Sequence, residues 1–106
     1  MSNELHMDRR IIYALSSETR IKILKYLNQR KMTLAELSKE LNLSKSTIHD
    51  NLTVLIDAGL VKNKRGSKWV HYELTYKGRI LVDSKEQGKV RILNVSLLVF
   101  LKYTAS

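Results

Sequence analysis

Cysteine and proline are both absent from this 106-residue sequence, and glycine occurs only four times. Without cysteine there is no disulfide, no thiolate metal site and no cysteine nucleophile, and a reducing cytoplasm fits. With no proline and so little glycine, no linker or low-complexity stretch divides the chain, and no internal repeat is found. Long apolar runs are missing too. The longest, Leu97 to Leu101, falls far short of the ~20 residues that span a bilayer, and MSNELHMDRR at the N-terminus lacks the apolar core of a secretion signal. Acidic residues are scarce: 10 Asp+Glu stand against 19 Lys+Arg, a formal charge of +9. That surplus favours a polyanionic partner, with nucleic acid first and an anionic membrane as the alternative. No nucleophile and base sit in a recognisable motif, no phosphate-binding loop is present, and no carboxylate pair is tied to a pocket, so no catalytic residue is assigned.

What is present is concentrated in residues 33–61, which read as two short amphipathic helices around a tight turn. Thr33 and Glu36 form a capping box, in which each side chain satisfies a backbone N–H of the other residue. Leu34, Leu37 and Leu41 then give one apolar stripe. Asn42 and Leu43 leave a short connector before Ser44, whose hydroxyl can cap the next helix, so the two helices cross steeply. In the second helix Ile48, Leu52, Leu55 and Ile56 are expected to face inward. The opposite face carries Ser46, Asp50, Thr53 and Asp57, with His49 at its margin, all of them groups a groove-reading helix can display. Ala58-Gly59 ends the helix, since glycine adopts the left-handed conformation cheaply. This is a helix-turn-helix pattern.

Its flanks make it more specific. Upstream, a helix is expected from near Asp8 through Ile11, Ile12 and Leu15, with a break at Ser16-Ser17. A second, capped by Ser17, carries Ile21, Ile23, Leu24 and Leu27 and forms the spine of a three-helix core. Downstream, Leu60 to Lys64 and Lys68 to Leu74 read as two strands around Arg65-Gly66-Ser67, a hairpin or wing. Its tip gathers Lys62, Lys64, Arg65 and Lys68 with no acidic residue before Glu73, a positive field suited to phosphates. Trp69 is expected to anchor the hairpin against the core.

Ser44, Lys45, Ser46 and Thr47 lie at a helix N-terminus, where N–H groups and the dipole favour phosphate. Ser44 serves at least as a cap, whereas Lys45 and Ser46 have no structural duty and are the leading contact candidates, followed by Thr47. For His49, contact with a base or phosphate is favoured over an inert surface role. Asp50 either accepts from a cytosine amino group or repels phosphates and sharpens selectivity. Asn51, Thr53 and Thr33 complete the DNA-binding set. His71 and His6 have no partner at ligand spacing and are read as incidental.

Three stretches resemble the ArsR-type winged helix-turn-helix repressors over roughly residues 10–75. They are Leu15-Ser16-Ser17-Glu18-Thr19-Arg20-Ile21-Lys22-Ile23-Leu24, Leu43-Ser44-Lys45-Ser46-Thr47-Ile48, and Ala58-Gly59-Leu60-Val61 with Trp69-Val70-His71-Tyr72. Leu74-Thr75-Tyr76-Lys77-Gly78 also resembles the close of the wing in MarR-like proteins. The resemblance implies a winged helix that dimerises, binds operator DNA and represses by excluding the transcription machinery. Metal-sensing members carry a cysteine pair in the helix corresponding to residues 34–41, which here reads Leu-Ala-Glu-Leu-Ser-Lys-Glu-Leu. Others place carboxylate and imidazole ligands on the last helix, yet beyond Arg79 this chain has Asp83 and Glu86 and no histidine. No metal or cofactor is therefore assigned. The family often has a basic or amide side chain at Asp50 and a histidine at Asn51, so base preference is not carried over.

Beyond Thr75, which can cap a helix through Ile80 and Leu81, periodicity alone leaves residues 89–106 open between helix and strand. The resemblance favours a helix, and one so apolar calls for a second subunit rather than a membrane, because the segment lacks a dense basic face. The expected fold is mainly α with a small β-hairpin wing: a winged helix-turn-helix with an additional C-terminal helix for dimerisation. The expected organisation is an N-terminal tail over 1–7, the DNA-binding domain over 8–75 and a helical dimerisation segment over 76–106. The expected partners are double-stranded DNA and a second copy of the chain, with no membrane and with any small-molecule effector left open. The alternative is a winged helix used only for protein assembly, which explains the apolar C-terminus but gives the basic wing no role.

Overall fold

Helix starts in this protein are set by short polar side chains. In the computed structural model, which describes residues 8–66 and 68–82, the first helix, α1 (Arg9–Ala14), begins where the Asp8 carboxylate accepts the Ile11 N–H at 3.0 Å. That bond, with the nearby Arg10 charge, holds the Asp8 carboxyl below the usual carboxylate range. Ser17 caps α2 (Glu18–Gln29) by accepting from the Arg20 N–H. The expected capping box opens α3 (Leu34–Leu41): the Glu36 N–H donates to Thr33 Oγ1 at 3.1 Å and the Thr33 N–H to Glu36 Oε1 at 2.8 Å. Ser44 caps α4 (Lys45–Asp57) through the Thr47 N–H at 3.1 Å. Thr75 caps α5 (Tyr76–Val82) through the Gly78 N–H at 3.1 Å. Each capping bond contributes about 1 kcal/mol.

Helix ends follow one recipe at both sides of the recognition unit. Asn42 takes the left-handed conformation (φ 57°) after α3, and the Leu43 N–H reaches back to the Ser38 carbonyl. Gly59 does the same after α4 (φ 78°), and the Leu60 N–H reaches the Leu55 carbonyl. In each case an otherwise orphaned carbonyl is satisfied while the chain reverses.

The strands form one antiparallel sheet in the order β1-β3-β2, from β1 (Met32–Thr33), β2 (Val61–Arg65) and β3 (Val70–Leu74). The hairpin pairs Val61 with Leu74 through Arg65 with Val70, and β1 sets Met32 against Tyr72 and Thr33 against His71. The wing strands match expectation to within a few residues, whereas β1 was not foreseen. Two residues carry no alternation to read, and their partners lie about 40 positions on.

The core runs through the middle of this assembly. Ile11 and Ala14 of α1, Ile23 and Leu24 of α2, Leu37 of α3, and Ile48, Leu52 and Leu55 of α4 are buried together with Leu60, Leu74, Leu81 and Val82. Burying each of Ile48, Leu52 and Leu55 supplies roughly 2 kcal/mol, which fixes the rotation of α4 and so decides which of its faces is left to solvent. Helix α5 seats by close approach: a Cβ on Gly78 would collide with the Leu60 carbonyl oxygen.

Two expectations about packing are corrected. Ile56 is 36% exposed rather than inward. It lies about 80° around the helix from Ile48 at 100° per residue, and α1 packs on the other flank of α4, where Val54 is partly buried instead. Trp69 is 62% exposed and anchors nothing. It lines an open groove opposite the starts of α3 and α4 without being buried by them, and Lys62 to Arg65 on the facing strand are exposed as well. The tail over 1–7 with His6, the turn residue Ser67, and residues 83–106, including the apolar stretch expected to dimerise, lie outside the described residues.

Candidate nucleic-acid interface

With Ile48, Leu52 and Leu55 inward, α4 presents Lys45, Ser46, His49, Asp50, Thr53 and Asp57 to solvent. The hydroxyls at its start are partly committed: Ser44 Oγ donates to Thr47 Oγ1 at 2.9 Å and accepts the Thr47 N–H. Lys45 and Ser46 are exposed and are not needed for the cap. His49 Nδ1 lies 3.8 Å from Asp50 Oδ1, too far for a hydrogen bond, and the Asp50 side chain is 81% exposed. Thr53 Oγ1 donates back to the His49 carbonyl at 3.0 Å, leaving its lone pairs outward.

Asn51 stands apart from these. Its amide nitrogen donates to the Thr47 carbonyl at 2.8 Å, and its amide oxygen accepts from Arg20 Nη1 at 2.9 Å. Arg20 is a residue whose importance the spacing could have disclosed. It lies on the same α2 stripe as Ile23, Leu24 and Leu27, at i, i+3, i+4 and i+7, and is only 9% exposed. Its Nε donates to the Ala14 carbonyl at 2.9 Å and its Nη2 to the Tyr13 carbonyl at 3.0 Å, with the guanidinium 4.8 Å from the Tyr13 ring centroid. One buried fork thus joins the end of α1 to the outer face of α4.

On the wing, the four expected cations are not equivalent. Lys62 faces Glu73 across the hairpin register, and its Nζ lies 3.5 Å from the carboxylate. Among the described residues no carboxylate pairs with Lys64, Arg65 or Lys68, all exposed. These three carry the undiluted positive field of the tip. Lys68 Nζ also lies 5.5 Å from the Trp69 ring centroid.

The two halves meet across a groove of about 550 Å³ lined on one side by Thr33, Ala35 and Lys45 and on the other by Trp69 and His71. Thr33 caps α3 within β1 and is half-buried, so of the expected contacts it is the one most occupied by structure. Glu36, also on this groove, has its carboxyl held below the usual range by the Thr33 N–H first and by Arg30, 3.3 Å away. Among the described residues no helix is long and apolar enough to cross a membrane.

This arrangement agrees with comparisons to known proteins. The family profile described as bacterial regulatory protein, arsR family, matches residues 17–63, from the α2 cap into the wing. The putative arsenical resistance operon repressor ArsR of Halobacterium salinarum is 35% identical over 80 residues, covering 74% of this chain. The chain spans 62% of that relative's length. The transcriptional repressor SdpR of Bacillus subtilis is 31% identical over 64 residues, 60% of this chain and 71% of the relative. Among solved structures, a winged helix-turn-helix domain from Mycobacterium bovis, described as a possible ArsR-family regulator, has a TM-score of 0.61 at 19% identity. That match covers 100% of this chain and 96% of the other, and it shows a shared winged-helix fold. With its helix-turn-helix, its wing and these relatives taken together, the chain belongs to the arsR family of regulatory proteins.

Proposed function

We propose that this protein is a sequence-specific, DNA-binding transcriptional regulator, a repressor, that acts in the cytoplasm and binds operator DNA as a homodimer. The observation that carries the reading is the shared groove: Lys45 at the start of α4 and Thr33 at the start of α3 face Trp69 and His71 of the wing across it, while the polar side of α4 and the wing cations Lys64, Arg65 and Lys68 are exposed to solvent. In this reading Lys45, Ser46, Thr47, His49, Asp50 and Thr53 approach base edges in a major groove, while Ser44 and Thr33 hold the two helix starts beside phosphates. Asn51 works chiefly by fixing the face through Arg20. Lys64, Arg65 and Lys68 hold the backbone, with Lys62 contributing less because Glu73 offsets it.

Repression is supported by the two curated relatives, both named as repressors. Dimerisation is supported by the M. bovis domain, described as homodimeric, and by the apolar composition of residues 89–106. Two recognition helices about 34 Å apart would then read an inverted repeat.

Selection from random duplexes followed by gel shift at graded salt tests this reading. A palindromic consensus and a steep fall of affinity with salt are expected, with the log–log slope reduced by about one for each of Arg65→Ala and Lys68→Ala and by less for Lys62→Ala. A chain that retards no duplex, or binds without salt dependence, would point to the protein-assembly role instead.

A further inference from the structure

We infer that Trp69 is a DNA-contacting residue of the wing, its indole packing on deoxyribose faces in the minor groove beside the half-site that α4 reads. The inference rests on the DNA-binding reading above. An indole is a large, mostly apolar plate to leave in water, and here it is 62% exposed beside the hairpin turn. Its surroundings name the partner. Lys64, Arg65 and Lys68 lie within five positions of it and have no carboxylate partner among the described residues, so an exposed apolar plate sits inside a positive field. A surface of that kind suits a ligand that is anionic at its edge and apolar just inside, as the sugar–phosphate wall of a duplex groove is. Trp69 also forms one wall of the groove whose opposite wall carries Lys45, the first residue of α4. A DNA strand laid against that groove would meet the Lys45 ammonium on one side and the indole on the other, with the Glu36 carboxylate of the same groove paired to Arg30.

The turn is built so that the ring can serve this role without supporting the fold. The Gly66 N–H donates to the backbone carbonyl of Trp69 at 3.0 Å, a bond that any side chain at position 69 preserves. The Lys68 ammonium lies 5.5 Å from the ring centroid, so the apolar plate carries a cation at its side. An apolar contact and an ionic one leave different signatures in salt titrations, because only the ionic contact releases counterions.

Trp69 is the only tryptophan in the chain, so emission of the full-length protein reports on this residue alone. On titration with the selected duplex, we expect its emission to change to saturation and its access to the neutral quencher acrylamide to fall. Trp69→Ala should lower affinity about tenfold with the melting temperature and the salt slope unchanged, and Trp69→Phe should recover most of the loss. Lys68→Ala should instead flatten the slope by about one. Unchanged emission on a duplex that the wild-type chain visibly retards would overturn the inference and leave the DNA-binding reading intact. So would an alanine variant of wild-type affinity, or emission that responds to anionic phosphatidylserine vesicles and not to duplex. If no duplex is retarded at all, the DNA-binding reading falls first and this role with it.

Discussion

Replacing Arg20 by methionine removes a charge-bearing fork while keeping a flexible stem of similar length. Three bonds go with it: to the Ala14 carbonyl, to the Tyr13 carbonyl and to the Asn51 amide oxygen. Hydrogen bonds to a charged group contribute about 1.5–3 kcal/mol each, but the full sum is not lost, because the last two are only part-buried. The Tyr13 carbonyl also keeps the Ser16 hydroxyl and N–H as donors. The Ala14 carbonyl is the group left stranded in a buried position, and it accounts for roughly 2 kcal/mol, with about 1 kcal/mol more from the other two together. A loss of about 3 kcal/mol in a domain of this size lowers the melting temperature by about 15 °C. Arg20→Lys should fall between, since an ammonium can reach one carbonyl but not fork to three acceptors. Circular dichroism melts of the three proteins provide the measurement. A methionine variant melting within about 3 °C of wild type would refute the idea that this fork holds α1 and α4 together.

Two further outcomes follow from local geometry. Gly78→Ala should destabilise by about 2 kcal/mol or more, because the new Cβ meets the Leu60 backbone carbonyl rather than a side chain that can swing away; urea unfolding with an unchanged midpoint would show that α5 shifts freely. Glu36 has a folded-state pKa depressed by the Thr33 N–H and by Arg30, so its contribution is present above the ordinary carboxylate value and is lost as pH falls through the folded one. Glu36→Gln should therefore melt below wild type near pH 7, with the gap narrowing as pH falls below the ordinary carboxylate range, and a gap that stays constant on acidification would exclude the ionised cap.

Helix starts were legible because capping is local chemistry: Asp8, Ser17, Thr33 with Glu36, Ser44 and Thr75 all cap as their spacing implies. The solvent-facing side of α4 was legible for the same reason, three large apolar residues at helical spacing leaving little freedom of rotation. What escaped depends on partners distant in sequence. Ile56 needed knowledge that α1 crosses the Val54 side of α4, and Trp69 that the hairpin faces the helices across an open groove rather than packing on them. Arg20 was visible on an apolar stripe, but a cation there reads as surface until the carbonyls it serves are located. For Asn51 the sequence shows a place in the DNA-binding set but not the arginine that holds its amide oxygen from 31 residues upstream.

Thr33 belongs to two structures at once. As the last residue of β1 it pairs with His71 of the wing, and as the N-cap of α3 it starts the first helix of the helix-turn-helix. Separating β3 from β1 would therefore also pull on the cap of α3. A substitution at Thr33 would thus loosen the sheet edge and the start of α3 together.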